Sequence, residues 1–172
     1  MIDYAMSHKD ELEKLLARFE CTEEAVYFSP YSYIGQTKVE GDTWHKLQLV
    51  AIHNGAIQGY CGLGINRATL SIDSIGACKF CQGRELEFAA DLSRIFEFLR
   101  QHFRHIRWSV VAGCPTQPIY ERITSQFDGR IAGRFTQDCK LRDGRLCDLI
   151  WHEVPGTATP DASTMIPREW MQ

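Results

Sequence analysis

Residues 68–113 read ATLSIDSIGACKFCQGRELEFAADLSRIFEFLRQHFRHIRWSVVAG, and the class of fold turns on how the apolar period changes along them. At the start, Leu70, Ile72 and Ser74 share one face and Ser71, Asp73 and Ile75 the other, which is the two-residue period of a strand over 68–77. From Gly83 to Phe103 the period lengthens: Leu86, Ala89, Leu92, Phe96, Leu99 and Phe103 recur at spacings of three and four. Phe88, Ile95 and Phe98 widen that stripe, so the long helix must be substantially buried. His105 to Gly113 is a β-branched run again, and strand, helix, strand in that order is the crossover unit that favours parallel pairing. Asp73 then falls in a strand interior, where a carboxylate needs water or a partner.

Outward from this unit the signals are antiparallel. KLQLVAIHNGAIQGYCGLGI (46–65) is two apolar runs around Asn54-Gly55, a pair suited to the positive φ values of a two-residue hairpin turn. GRFTQDCKLRDGRLCDLIWHEV (133–154) repeats the pattern around Asp143-Gly144. Between them TQPIYERITSQF (116–127) reads as a short helix, with Thr116 at the N-cap, Pro118 in the first turn and Asp128-Gly129 closing it. Near the start, SHKDELEKLLARF (7–19) is an amphipathic helix burying Leu12, Leu15, Leu16 and Phe19, with Ser7 as N-cap and Asp10 completing a capping box. Residues 21–43 hold tyrosines, a proline and glycines without a sustained period and read as a short helix and an irregular excursion over the core. The reading is one domain over 1–154 and a mobile Pro/Ser/Thr-rich tail over 155–172.

Composition agrees with a single domain: 172 residues with 44% hydrophobic content fill one core and are short for two. A net charge of −3 gives no global reason to bind nucleic acid or an anionic membrane. The apolar runs are too short to cross a bilayer, and the start has neither a cationic leader nor an apolar signal core, so the chain reads as cytoplasmic with no membrane partner. Seven cysteines, an odd number scattered through apolar segments, fit reduced and mostly buried thiols better than a disulfide framework. The pair Cys78-x-x-Cys81 lacks the second pair that a structural zinc site normally needs. The histidines show no metal-binding spacing, and no metal is expected.

The order of elements, together with IYERITSQFDGRIAGRFTQDCKLRDGRLCDLIWHEV (119–154), resembles the N-acetyltransferase (GNAT) superfamily of acyl-coenzyme A enzymes over most of residues 7–154. The resemblance implies a single-domain α/β (α+β) fold whose mixed, mostly antiparallel sheet holds a splayed central parallel pair near Thr69–Ala77 and His105–Gly113, flanked by helices. Acetyl-coenzyme A would lie in the splay as acyl donor. Backbone groups of Ile75 and Ala77 would hold its pantetheine arm, and the loop of Lys79, Gln82, Gly83 and Arg84 at a helix N-terminus its pyrophosphate. The family loop reads Arg or Gln, two residues, Gly, one residue, then Gly or Ala, whereas KFCQGRE offers one glycine. Glu85 and Glu87 fall in the first helical turn, where they suit the dipole and repel a phosphate, a repulsion that Lys79 and Arg84 offset.

By the same resemblance Tyr120 matches the helix tyrosine that gives a proton to the leaving thiolate, and Asp73 stands where many members place a base or a water-holding residue. Each also has a structural reading: Tyr120 as a core tyrosine, Asp73 as a partner of Arg67 or Arg107. Glu40, His45, His53 and Glu153 are further bases that sequence does not rank. The leading expectation is an acyl-coenzyme A dependent N-acyltransferase, most simply an acetyltransferase, acting on a primary amine of a small molecule or protein. A GNAT-fold binding or assembly module without catalysis is the alternative, and a cysteine-based metal or redox protein the third. The sequence leaves the oligomeric state open, a homodimer included.

Overall fold

A computed structural model, describing residues 1–28, 38–81 and 83–158, joins the strands found among them into one seven-stranded sheet. In chain order they are β1 (Ile2–Tyr4), β2 (Lys46–His53), β3 (Ala56–Asn66), β4 (Ser71–Lys79), β5 (His105–Val111), β6 (Arg130–Lys140) and β7 (Leu146–Pro155). Their order across the sheet is β1-β2-β3-β4-β5-β7-β6. All neighbours pair antiparallel except β4 and β5, which are parallel and joined by helix α2 (Glu85–His102). Helices α1 (Lys9–Phe19) and α3 (Gln117–Gln126) complete the set. The mixed sheet and single parallel pair follow the expectation from residues 68–113.

Each face of the sheet carries its own core. On one, Leu63, Ile72, Ile106 and Trp108 pack under Phe96 and Leu99 of α2 and Ile123 of α3. On the other, Val50, Ile52 and Tyr60 pack under Leu12 and Leu16 of α1. Trp108 is fully buried with its ring 4.8 Å from that of Phe96 and stacked at 5.2 Å on His152. The hairpin turn is as expected: Asn54 and Gly55 take φ of 52° and 76°, the left-handed pair that a type I′ turn needs. Gly129 is required for a different reason, since a Cβ there would stand 2.5 Å from the Glu153 carbonyl oxygen.

Several local expectations are corrected. Three-residue β1 is too short to show a period, and it docks Ile2 opposite Ala51. Ser7 does not cap α1: residues 5–8 form a 3₁₀ turn, and the helix starts at Lys9 after His8, which bonds Asp3 at 2.8 Å. Thr116 makes no capping bond, and its hydroxyl lies 3.1 Å from the Cys114 thiol instead. β4 begins at Ser71, because Leu70 is a turn residue with φ of 51°. At the start of the segment read as a mobile tail, the Gly156 N–H donates to Arg104 O and the Thr157 N–H to Arg100 O. Residues 159–172, the rest of that tail, lie outside the described residues, as do 29–37 of the excursion.

Candidate active site

One extra residue opens the centre of the sheet. Gly64 on β3 faces Ser74 while its neighbour Ile65 faces Ile72, so Asp73 has no partner and forms a β-bulge in β4. The bulge reverses the face alternation. Strict alternation would set Ile75 apart from Ile72, but with the extra residue both join the core under α2, as does Ala77. The same point ends the parallel ladder: β4 and β5 pair at Ser71–His105 and Ile72–Ile106, and beyond that Asp73–Lys79 and Arg107–Val111 run on without pairing each other.

Half of the backbone groups freed on β4 point into this gap. Phe80 N–H donates to Gln58 O at 2.8 Å, which makes Phe80 a hydrogen-bonded position against β3. Counting back along the continuous register, Lys79, Ala77 and Ile75 are non-hydrogen-bonded positions, so their amides and carbonyls turn away from β3 and face the opening. Unpaired backbone groups must find a partner when covered, and an extended amide-containing chain supplies one.

At the closed end, Asp73 is tied in place. Its carboxylate accepts from the Ser71 hydroxyl at 2.6 Å and from Arg107 of β5 at 3.0 Å, which ties the strands where they part. Partial burial works to raise its pKa, and hydrogen bonds from Ser71 and Asn66 with the Arg107 charge outweigh it, holding the group below the usual carboxylate range. Of the two structural partners weighed from sequence, Arg107 is the one it takes.

Tyr120, on the first turn of α3, is buried against Trp108 with ring centroids 5.7 Å apart. Burial pushes its phenol well above the usual value, and the thiols of Cys61 on β3, Cys114 past β5 and Cys78 on β4 stand near enough to add to the effect. The ring contact to Trp108 sets Tyr120 beside β5, in the core under α2 and α3. Among the same thiols, burial lifts Cys61 to about 12 and Cys78 well above the ordinary thiol. Cys78 is therefore a protonated core thiol, which is opposite to what a reactive C-x-x-C cysteine requires. Among the described residues no cluster of three or more His, Cys, Asp or Glu could hold a metal ion.

The open end is acidic. Lys79 at the end of β4 lies 2.5 Å from Glu85 and 4.0 Å from Glu24, and Arg84 lies 2.9 Å from Glu87. Both cations of the loop are thus already paired. The Gly83 N–H, at φ of 75°, donates to the Glu85 carboxylate at 3.3 Å, so a side-chain anion occupies the loop amide. Gln82 lies outside the described residues. Sequence reading did not single out Glu24; the Glu23-Glu24 pair after α1 was its signal, but only the fold brings it beside Lys79. The other bases lie elsewhere: His53 pairs with buried Asp91 at 2.6 Å, His45 lies 3.3 Å from Ile65 O, Glu40 lies 3.8 Å from Lys46, and Glu153 binds Arg130 on the edge hairpin.

The fold is that of solved N-acetyltransferases. RimL, a ribosomal L7/L12 alpha-N-protein acetyltransferase in complex with coenzyme A, matches with a TM-score of 0.72 at 13% identity, over 92% of this chain and 94% of that one. An N-acetyltransferase from Staphylococcus aureus Mu50 matches at 0.64 and 19% identity, over 90% and 97%. A ribosomal-protein-alanine N-acetyltransferase from Brucella melitensis matches at 0.62 and 17%, over 90% and 99%. No family model matches the chain, and no curated protein matches its sequence.

Proposed function

We propose that this chain, a GNAT fold with its central strands parted, is an acyl-coenzyme A dependent N-acetyltransferase for a primary amine. The observation that carries the reading is the gap beyond Ile72 and Ile106, with free backbone groups on the β4 side and Tyr120 packed on Trp108 of β5 on the other. The amides and carbonyls of Ile75 and Ala77 suit the pantetheine arm of acetyl-coenzyme A, and Lys79, Gly83 and Arg84, with Gln82 between them in sequence, suit its pyrophosphate.

Direct attack of an amine on the thioester carbonyl releases a thiolate, and Tyr120 is the proton donor for it. A phenol raised by burial is a poor acid toward water. Toward a thiolate formed in the same surroundings it is well matched, because burial there lifts thiols too, Cys61 to about 12. Asp73, held ionised by Arg107 and Ser71, is too weak a base to deprotonate an ammonium directly; it suits holding a water or the incoming amine. Neighbours matching nine-tenths of the chain include enzymes named for protein amines, so a protein α-amine is the first acceptor class to test.

A binding module without catalysis is the second reading, favoured by one observation, the carboxylates of Glu85 and Glu87 on the loop cations. Thermal melting with and without acetyl-coenzyme A separates the two, since a ligand that binds only the native state raises its stability. The enzyme reading expects a rise. No shift at millimolar acetyl-coenzyme A sinks it.

A further inference from the structure

Two cysteines that take no part in the proposed chemistry stand directly opposite each other on the edge hairpin. Cys139 on β6 and Cys147 on β7 are register partners, so their side chains leave the same face. The nearby Leu141 N–H donates to Arg145 O, and counting two pairs along the ladder makes Cys139–Cys147 a hydrogen-bonded position. Such positions hold their Cα atoms about 5.5 Å apart, within the Cα range of a disulfide, and their Cβ atoms at the wide end of cross-strand spacing, so closing the bond draws the two strands together and leaves it strained and readily reduced. Cys139 is buried and Cys147 is partly exposed, and both thiols are free.

We propose that Cys139 and Cys147 form a dithiol site that low-molecular-weight disulfides such as glutathione disulfide oxidise to an intramolecular disulfide. The exposed partner reacts first. The Cys147 thiolate attacks glutathione disulfide, forming the Cys147–glutathione bond and releasing one glutathione thiolate. The Cys139 thiolate then attacks Sγ of Cys147, closing the cross-strand bond and releasing the second glutathione. The protein loses two protons and two electrons, and one glutathione disulfide becomes two glutathione molecules. Burial, then the neighbouring Cys147 and Asp138, push the Cys139 thiol up, which disfavours it as the first attacker; in the second step its target is held directly opposite it on β7.

The other cysteines lack this geometry. Cys61 and Cys78 belong to the cores on opposite faces of the sheet, and the Cys114 thiol lies 3.1 Å from the Thr116 hydroxyl. The bond would lock a hairpin whose tip reaches α1, where Arg142 holds Glu20, and lies over the Tyr27 ring through Arg145. It would therefore stiffen one wall beside the gap.

The test is incubation of the full chain in glutathione buffers of increasing oxidised fraction, followed by thiol alkylation and peptide mass mapping. The expected result is one peptide pair linked through Cys139 and Cys147, both thiols being lost together, while exposed Cys21 and partly exposed Cys81 can carry at most glutathione adducts. A Cys139→Ser variant should retain a stable glutathione adduct on Cys147, and a Cys147→Ser variant should take no adduct at Cys139. Links dominated by other cysteines, or seven free thiols at the most oxidising ratio, overturn the proposal, and an adduct on Cys139 in Cys147→Ser overturns the order of attack. None of these readouts depends on coenzyme binding, so failure here leaves the acetyltransferase reading untouched.

Discussion

The two ends of the gap between β4 and β5 are built on opposite principles. At the closed end the charges balance: Asp73 is met by Arg107 and a hydroxyl, and beneath them Ile72, Ile106 and Trp108 are fully buried. At the open end three carboxylates, Glu24, Glu85 and Glu87, answer two cations, Lys79 and Arg84. The closed end is a solved packing problem, where hydrogen bonds and the Arg107 charge outweigh the partial burial of Asp73. The open end stays in solvent, where charges are screened and a ligand can exchange with side chains. On the proposed reading, a coenzyme entering at this end competes with the chain's own acids for Lys79 and Arg84.

The largest expected effect comes from breaking the closed end. Trp108→Ala removes a fully buried ring that packs on Phe96, His152 and Tyr120, and should cost about 3–5 kcal/mol of stability, read by urea unfolding. Unfolding within 1 kcal/mol of wild type would contradict the packing described. Tyr120→Phe keeps the ring and removes the proton. If the phenol is the donor, kcat should fall on the order of a hundredfold with little change in coenzyme affinity. Unchanged turnover would return Tyr120 to a purely structural role.

This contrast also explains what could be read from the chain. The strand–helix–strand unit and both hairpins were legible because their apolar periods are long and their turns carry Asn-Gly and Asp-Gly. The bulge at Asp73 was not, since one extra residue leaves no mark in a run where serine, isoleucine and glycine suit either face. That single residue decides both where the sheet opens and which side Ile75 takes. Asp73 and Tyr120 could be named from resemblance, but the Arg107 tether and the packing of Tyr120 on Trp108 are contacts between distant segments. Glu85 was seen as a dipole partner that repels phosphate; its place on Lys79 and the Gly83 amide needed the fold.

A smaller effect at the closed end depends on pH. His152 is fully buried, with Nδ1 2.8 Å from the Thr124 hydroxyl, and burial pulls its pKa below the unfolded value near 6.5. The unfolded chain therefore binds its proton first as pH falls. The stability that the neutral imidazole contributes is present above 6.5 and is lost progressively below it, at no more than about 1.4 kcal/mol per pH unit for one proton. Melting between pH 8 and pH 5 should show this fall, and His152→Asn should flatten it. An unchanged slope in the variant would move the effect to another group, His102 first, since burial lowers its pKa as well.

The smallest effect is the one that bears on the open end alone. Glu85→Gln removes the charge from the carboxylate on Lys79 and the Gly83 amide while leaving α2 its side-chain acceptor. Lys79, left with only the more distant Glu24 at 4.0 Å, then offers more of its charge to an incoming phosphate, and the loop amide is held by a weaker acceptor. Binding of acetyl-coenzyme A should tighten several-fold, and the gain should shrink as salt rises, because the Glu85 carboxylate is exposed to solvent. Turnover at saturating coenzyme should not move, since the substitution leaves Tyr120 and Asp73 untouched. If affinity instead falls, the carboxylate is part of the coenzyme site through its capping of the loop, and the two ends of the gap work together rather than in opposition.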